Sequence, residues 1–245
     1  MIPFLSIVRL DGRGILRDHV ALVTLVLSLV GTLGITALGL FQERLSGWST
    51  WIPFVIAVSL VGGPGGFGFL FGVLMVEEGE TGVRQALAVS PVPPARLMVI
   101  RTVIATGWMC VWPLASVYLM NSTWRAVDLS LLQWLAVVGP LALLTPACAL
   151  LIPALAADKV GALAVFKGLS FVSLIPLGLF FVRSDAGYRA LFLLSPTGWV
   201  VEAYRALLRS DGAAAFWGLG AVTYALTLLL VVVFVFRRNV YRLHA

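Results

Sequence analysis

The side chains that could do chemistry are few, and the densest group is an acidic cluster. Glu77, Glu78 and Glu80 stand within four residues of one another. Paired carboxylates can activate water in a membrane hydrolase, but the known sites of this kind also need histidines inside the membrane. Both histidines, His19 and His244, lie outside the apolar stretches of the chain. We therefore predict no catalytic residue and disfavour a membrane enzyme.

Metal and nucleotide sites are not predicted either. Cys110 and Cys148 both fall in apolar stretches and are interpreted as buried, reduced thiols. Two cysteines alone build neither a zinc site nor a disulfide framework. No G-x-x-x-x-G-K-[ST] motif is found in the sequence, and the G-x-G-x-x-G pattern at 63–68 lies inside an apolar stretch instead of after a strand. The sequence predicts no cofactor bound by this chain itself.

Composition decides the class of protein that must position these side chains. Of 245 residues, 60% are apolar and only 11% are charged, and the mean hydropathy is +1.02. A soluble domain carries about 25% charged residues. This composition excludes a soluble globular protein, a disordered chain and a nucleic-acid-binding module, although the net charge is +6.

Six stretches are long and apolar enough to cross a bilayer, which takes about 20 residues each. They are 20–41, 52–76, 98–120, 131–156, 160–182 and 214–236. The longest connection has about 30 residues, too few for an added soluble domain. We predict an all-α integral membrane protein, with residues 1–245 forming a single transmembrane domain of six helices.

Basic residues predict the topology. With both termini on the same side of the membrane, that side carries eleven of the 17 Lys and Arg residues and the other side carries six. Positive charge is enriched in cytoplasmic segments, so both termini are predicted to be cytoplasmic. The Arg-rich composition favours a bacterial cell (inner) membrane.

Two segments are predicted to form amphipathic helices on the cytoplasmic side. Residues 3–18 place apolar and basic side chains on different faces, and a loosely ordered lead-in to the first span is the alternative. A second short helix is predicted from about Glu80 to Ala88, with Val83 and Leu87 on one face, before a proline-rich break. Such a helix is suited to docking a soluble partner, and a solvated loop is the alternative interpretation.

Glycines of the second span form two G-x-x-x-G pairs, Gly62/Gly66 and Gly68/Gly72. Such pairs allow two helices to approach closely. The sequence predicts tight packing within the bundle, and a dimer face or a wall of a transport path is the alternative.

Lys167 lies about two turns into the fifth span. It could extend its amine back to the inner interface, or it could line a translocation path. The sequence leaves both interpretations open.

Before the last span, apolar pieces too short to cross the membrane are split by Pro196. We predict a re-entrant helical hairpin containing Pro196, Trp199, Glu202 and Arg205, with an interfacial loop as the alternative. Glu202 and Arg205 are three residues apart and are predicted to pair on one helical face.

The segment Glu77-Glu78-Gly79-Glu80-Thr81-Gly82-Val83-Arg84-Gln85-Ala86-Leu87-Ala88-Val89-Ser90-Pro91 resembles a family motif, E-x-E-x-G-T-x-x-x-L-x-V-S-P. This motif follows the second span in the membrane subunits of type-2 ABC exporters. The chain departs from it by the additional Glu80 and by Gly82. Leu194-Ser195-Pro196-Thr197 is similar to the turn that the family has before its last span.

The resemblance covers nearly the whole chain and implies a permease subunit of an ATP-driven exporter, without an ATPase site of its own. The implied partners are an ABC ATPase subunit, which holds ATP and Mg, and a second permease copy or a sister permease. The implied ATPase-docking residues of the coupling helix are Glu77, Glu78, Glu80, Thr81, Val83, Arg84, Gln85 and Leu87. The implied path residues are Phe166, Lys167, Ser170, Phe171 and Ser173.

The short chain and its small outer loops resemble the compact drug-efflux permeases, including the fluoroquinolone-export type. Apolar walls favour a hydrophobic or amphipathic small molecule as the substrate. A secondary transporter driven by an ion gradient remains the main alternative, and it would use Lys167, the only ionisable candidate. A membrane protein with an assembly or regulatory role also remains open.

Overall fold

The computed structural model of the protein describes residues 12–14, 19–82, 94–182, 187 and 189–241. Within them the chain is helical, in agreement with the predicted all-α class. The helices are α1 (His19–Gly39), α2 (Ile52–Glu80), α3 (Pro94–Trp124), α4 (Leu131–Leu155), α5 (Lys159–Leu174), α6 (Arg189–Phe192), α7 (Pro196–Leu208) and α8 (Ala214–Phe236). Two 3-10 segments, Gln42–Trp51 and Ile175–Phe180, precede α2 and extend α5, and a π-helical turn, Arg237–Tyr241, follows α8.

Five helical stretches in the described residues are long and apolar enough to cross a membrane. They are Gly47–Glu80, Arg96–Trp124, Leu131–Leu155, Lys159–Phe180 and Ala214–Asn239. The helix α1 has 21 residues, of which Leu29–Gly39 forms a shorter apolar stretch. The protein is thus a multi-pass membrane protein in which five of the six predicted spans meet this criterion.

Local sequence explains where several helices begin. Ser130 caps α4 in a capping box, in which Gln133 N–H donates to Ser130 Oγ and the Ser130 N–H donates to Gln133 Oε1. Asp158 caps α5 by accepting a 2.6 Å hydrogen bond from the Gly161 N–H. Pro196 occupies the first turn of α7, where its missing N–H leaves no intrahelical bond unmade.

Side-chain hydrogen bonds between helix ends show that the helices alternate in direction. Trp124 Nε1 donates to the carbonyl of Ile35 at 2.8 Å, which brings the ends of α3 and α1 together. Asn239 Nδ2, just after α8, donates to the carbonyl of Ala154 at the end of α4 at 3.2 Å. Helices α1 and α3 therefore end on one side of the bundle, and α4 and α8 end on the other.

Close packing of α2 against α4 forms the centre of the bundle. A Cβ atom on Gly68 would lie 2.5 Å from Cys148 Cβ and 3.0 Å from the carbonyl of Thr145. A Cβ atom on Gly72 would lie 2.9 Å from Ile152 Cβ. Only glycine allows this approach, so tight packing within the bundle is confirmed for this pair.

The other predicted glycine pair behaves differently. A Cβ atom on Gly62 or Gly66 would meet nothing within 4 Å. A Cβ atom on Gly65, which lies between them in sequence, would lie 3.3 Å from Ser170 Oγ. The surface of α2 at Gly62 and Gly66, which we call the unfilled strip, has room for further side chains. It lies within one helical turn of the contact between α2 and α5.

Two predicted elements fall mainly outside the described residues. Of the amphipathic helix 3–18, the structure describes 12–14, which are helical. Of the predicted coupling helix, Val83, Arg84, Gln85 and Leu87 lie outside the described residues.

Candidate transport path and coupling site

The three glutamates at the end of α2 tie this helix to two neighbours. We call Glu77, Glu78 and Glu80, with Arg101 of α3 and Lys159 of α5, the acidic junction. Its shortest contact is bidentate, because Arg101 Nη1 and Nη2 each donate to one carboxylate oxygen of Glu78 at 2.7 Å. Arg101 is only 5% exposed, so this pair is largely withdrawn from water.

The contacts with α5 are more exposed. Lys159 Nζ lies 3.0 Å from Glu77 Oε1, and both side chains are about two-fifths exposed, at 43% and 38%. The Lys159 backbone N–H donates to Glu80 Oε1 at 3.3 Å. Since an exposed ion pair contributes at most about 1 kcal/mol, this side of the junction is weaker than the Glu78–Arg101 side.

The predicted start of the coupling helix at about Glu80 is wrong, because Glu80 is the last residue of α2. Glu77, Glu78 and Glu80 belong to the last turn of α2, which continues four residues beyond the predicted end of the span at 76. Thr81 Oγ1 donates to the carbonyl of Glu77 at 2.8 Å, and Gly82 has a positive φ of 72°. The helix therefore ends at this point, and a separate docking helix can begin only after Gly82.

The predicted path residues on α5 divide between two faces. Phe166 stacks on Phe69 of α2 with ring centroids 4.3 Å apart, and Ser170 lies against Gly65. The Ser173 carbonyl accepts a 2.9 Å hydrogen bond from Thr197 Oγ1 of α7. These three residues are on the side of α5 that faces the other helices of the bundle.

Lys167 and Phe171 lie together on the opposite face of α5. They are one helical turn apart, both are exposed, and Phe171 is 69% exposed. Val160, Ala164 and Gly168 share this exposed face. Lys167 therefore lies on a face of α5 that no other part of the described chain covers.

The segment before α8 contains a buried charge triad formed by Arg189, Glu202 and Arg205. Arg189 Nε and Nη2 donate to the two Glu202 carboxylate oxygens at 2.8 and 2.6 Å, and Arg205 Nη1 donates at 3.0 Å. Glu202 and Arg205 are 3% and 5% exposed. The predicted Glu202–Arg205 pair is confirmed, whereas the participation of Arg189, thirteen residues before Glu202, was not predicted.

Aromatic rings and a carbonyl surround the two guanidinium groups of the triad. Arg189 lies 5.4 Å from the ring centroid of Trp217, and Arg205 lies 6.0 Å from that of Phe180. Arg205 Nη2 also donates to the carbonyl of Val182 at 3.4 Å. The hydrogen bond to Glu202 raises the pKa of Arg189, and burial lowers the pKa of Arg205. The triad therefore joins α6, α7, α8 and the end of the 3-10 extension of α5.

The break between α6 and α7 is built around the predicted Pro196 and Trp199. Trp199 Nε1 donates to the carbonyl of Leu193 at 2.9 Å, and Tyr224 Oη of α8 donates to that of Leu194 at 2.6 Å. A Cβ atom on Gly198 would collide with the Phe192 carbonyl oxygen. The structure shows two short helices joined by a tight, hydrogen-bonded turn.

An aromatic cluster joins α2 and α5 at the end of the bundle opposite the acidic junction. Phe54 lies with its ring centroid 5.6 Å from that of Phe180 and 5.3 Å from that of Phe181. Trp51 packs on both Phe54 and Phe181. The antiparallel helices α2 and α5 are therefore held by charges at one end and by aromatic rings at the other.

Helices of membrane-crossing length define a multi-pass helical membrane protein, with an acidic junction at one end and a broken helical pair before the last helix. The chain belongs to the family described as "Rv2686c-like: Fluoroquinolones export permease protein Rv2686c-like", which matches residues 11–235. The match confirms the resemblance to exporter permeases, and the protein is an export permease. No curated protein matches the chain significantly.

Proposed function

We propose that the chain is the membrane subunit of an ATP-driven ABC exporter of the bacterial cell membrane, coupled to a separate ATPase subunit. The observation that carries the proposal is the acidic junction, which lies at the start of the motif segment 77–91 and ties the end of α2 to α3 and α5. The family match over 11–235 supports the same conclusion. A six-span topology with both termini in the cytoplasm is part of the proposal, and the excess of Lys and Arg residues on the side of the termini supports this orientation.

In this proposal, residues 83–93 dock on the ATPase and transmit its movement to the bundle. The segment is covalently continuous with α2 and α3, whose ends the Glu78–Arg101 pair holds together. Lys159 adds α5 to the same group of helix ends. A push on the segment therefore moves the ends of α2 and α3 together, whereas α5 is attached to them only by the weaker side of the junction. ATP acts by stabilising one of two arrangements of the bundle.

The path lies between two permease subunits, identical or paired with a sister permease, and α2 and α5 form its walls. The exposed face of α5 and the unfilled strip of α2 around Gly62 support this position. These surfaces are apolar with few polar groups, which suits an amphipathic aromatic compound. The family name adds the fluoroquinolones as the substrate class to test first.

The test is ATP-driven export by the permease co-expressed with its ATPase. In proteoliposomes whose ATPase side faces outwards, we expect uptake of a fluoroquinolone. This uptake should require ATP and persist without an ion gradient. Replacing Val83 and Leu87 with Asp should abolish uptake and release the ATPase during purification, because charges would interrupt the apolar docking face. The matched control replaces Val83 with Ile and Leu87 with Met, since it changes the same two side chains but keeps the predicted face apolar, and it should leave both readouts unchanged.

Two results would contradict the proposal. A double Asp variant that retains the ATPase and full uptake would remove the docking role of the segment. Uptake that follows an ion gradient and ignores ATP would instead establish a secondary transporter.

A further inference from the structure

Lys167 lies too deep along α5 to be explained simply as part of the charged layer at the helix end. It follows Lys159, a member of the acidic junction, by eight residues, which corresponds to about 12 Å along a helix. An extended lysine side chain reaches about 6 Å, given bond lengths of about 1.5 Å. The ammonium group therefore stays within the apolar length of the helix even when it points back towards Lys159.

No carboxylate compensates this charge within the part of the chain that the structure describes. Lys167 makes no hydrogen bond or ion pair there, whereas Glu202 and the glutamates of the acidic junction each contact a basic or backbone donor. Its neighbours on the same face are apolar or small, namely Val160, Ala164, Gly168 and Phe171. A cation with such neighbours is costly against lipid, so intramembrane charges usually face a water-filled cavity or a partner.

We propose that Lys167 binds the carboxylate of the exported molecule, while Phe171, one turn further along the same face, packs on its aromatic ring. The inference rests on the proposed function, which puts the exposed face of α5 in the path. An ammonium group donates charge-assisted hydrogen bonds to a carboxylate, and a phenyl ring stacks on a flat aromatic system. The ligand class is thus an aromatic carboxylic acid, to which fluoroquinolones belong.

The geometry also explains why Phe166 and Ser170 are not part of this site. Their side chains contact Phe69 and Gly65 of α2, so they hold α5 in place and leave Lys167 and Phe171 on the open face. The site therefore recognises both the charge and the ring of its ligand. It distinguishes an ionised carboxylate from the uncharged ester group of the corresponding methyl ester.

The experiment measures equilibrium binding of a fluoroquinolone acid and of its methyl ester to the purified permease–ATPase complex in lipid nanodiscs, without ATP. Lys167→Gln should weaken binding of the acid by about ten-fold or more and leave the ester within about two-fold. Lys167→Arg should retain binding of the acid. Phe171→Leu should weaken both ligands, and Val103→Gln, at a 56% exposed position of α3, should change neither.

The outcomes separate this inference from the proposed function. Equal losses for acid and ester in Lys167→Gln, no loss for either, or no binding of the acid by the wild-type complex would each overturn the carboxylate site. The expected binding pattern together with transport that never responds to ATP would support the site and contradict the proposed coupling to an ATPase.

Discussion

Replacing Glu202 with Gln should destabilise the protein strongly, because it removes the only negative charge of the buried triad. Glu202 is 3% exposed and accepts three hydrogen bonds from two guanidinium groups. The amide of Gln keeps the shape but removes the negative charge that Arg189 and Arg205 share, so the two guanidinium groups repel each other. Breaking a buried ion pair in this way costs about 3–5 kcal/mol. Because Arg189 is 23% exposed, we expect the lower end, about 3 kcal/mol.

This free energy converts into a measurable shift. For a chain of this size 1 kcal/mol corresponds to about 2–4 °C, so the apparent Tm should fall by about 6–12 °C. The assay heats the purified protein in nanodiscs with a dye that fluoresces on reaction with thiols, because Cys110 and Cys148 lie within α3 and α4. Glu77→Gln is the matched control, since its half-exposed pair with Lys159 should contribute at most about 1 kcal/mol.

A double variant tests whether the cost comes from the uncompensated charge. Removing Arg205 as well, in Glu202→Gln/Arg205→Met, should be less destabilising than the sum of the single variants, because the two guanidinium groups no longer repel. Additive effects, or a Glu202→Gln variant that unfolds within about 2 °C of the wild type, would refute the electrostatic reasoning.

Two glycine positions give further expected outcomes. Gly68→Ala should destabilise the bundle by about 1–3 kcal/mol, because its Cβ would meet Cys148 and the α4 backbone. Gly62→Ala is the control, since its Cβ would meet nothing within 4 Å, and it should leave the apparent Tm unchanged or higher. Equal effects of the two substitutions would contradict the assigned packing. Gly198→Ala should lower the apparent Tm, because its Cβ would collide with the Phe192 carbonyl. Gly218→Ala should not, because its Cβ would lie in open space. A Gly198→Ala variant as stable as the wild type would show that the turn before α7 can relax.

Helix positions could be predicted from the sequence because apolar length is a property of composition. The stretch 214–236 coincides with α8, and 131–156 ends one residue after α4. The end of α2 was predicted four residues early because Glu77 begins a charged run. In the structure these charges find basic partners on other helices, and the helix continues through them.

Contacts between helices could not be predicted in the same way, because the rotation of one helix against another does not follow from its own sequence. The two G-x-x-x-G pairs of α2 have the same pattern, yet only Gly68 and Gly72 face α4. The Glu202–Arg205 pair could be predicted because three residues separate its members on one helix. Arg189 reaches Glu202 only because the turn before α7 reverses the chain, and no local pattern signals that.

The two ends of the α2–α5 contact differ in how easily they separate, which bears on the proposed cycle. At the junction end, α5 is held by the half-exposed Lys159–Glu77 pair, whose loss costs at most about 1 kcal/mol. At the other end, Phe54 packs between Phe180 and Phe181, and the buried triad fixes the continuation of α5 through Val182. If an ATPase pushes on the segment after Gly82, α5 therefore parts from α2 first at the acidic junction, and Phe166 and Ser170, which contact α2, are the side chains that this opening exposes.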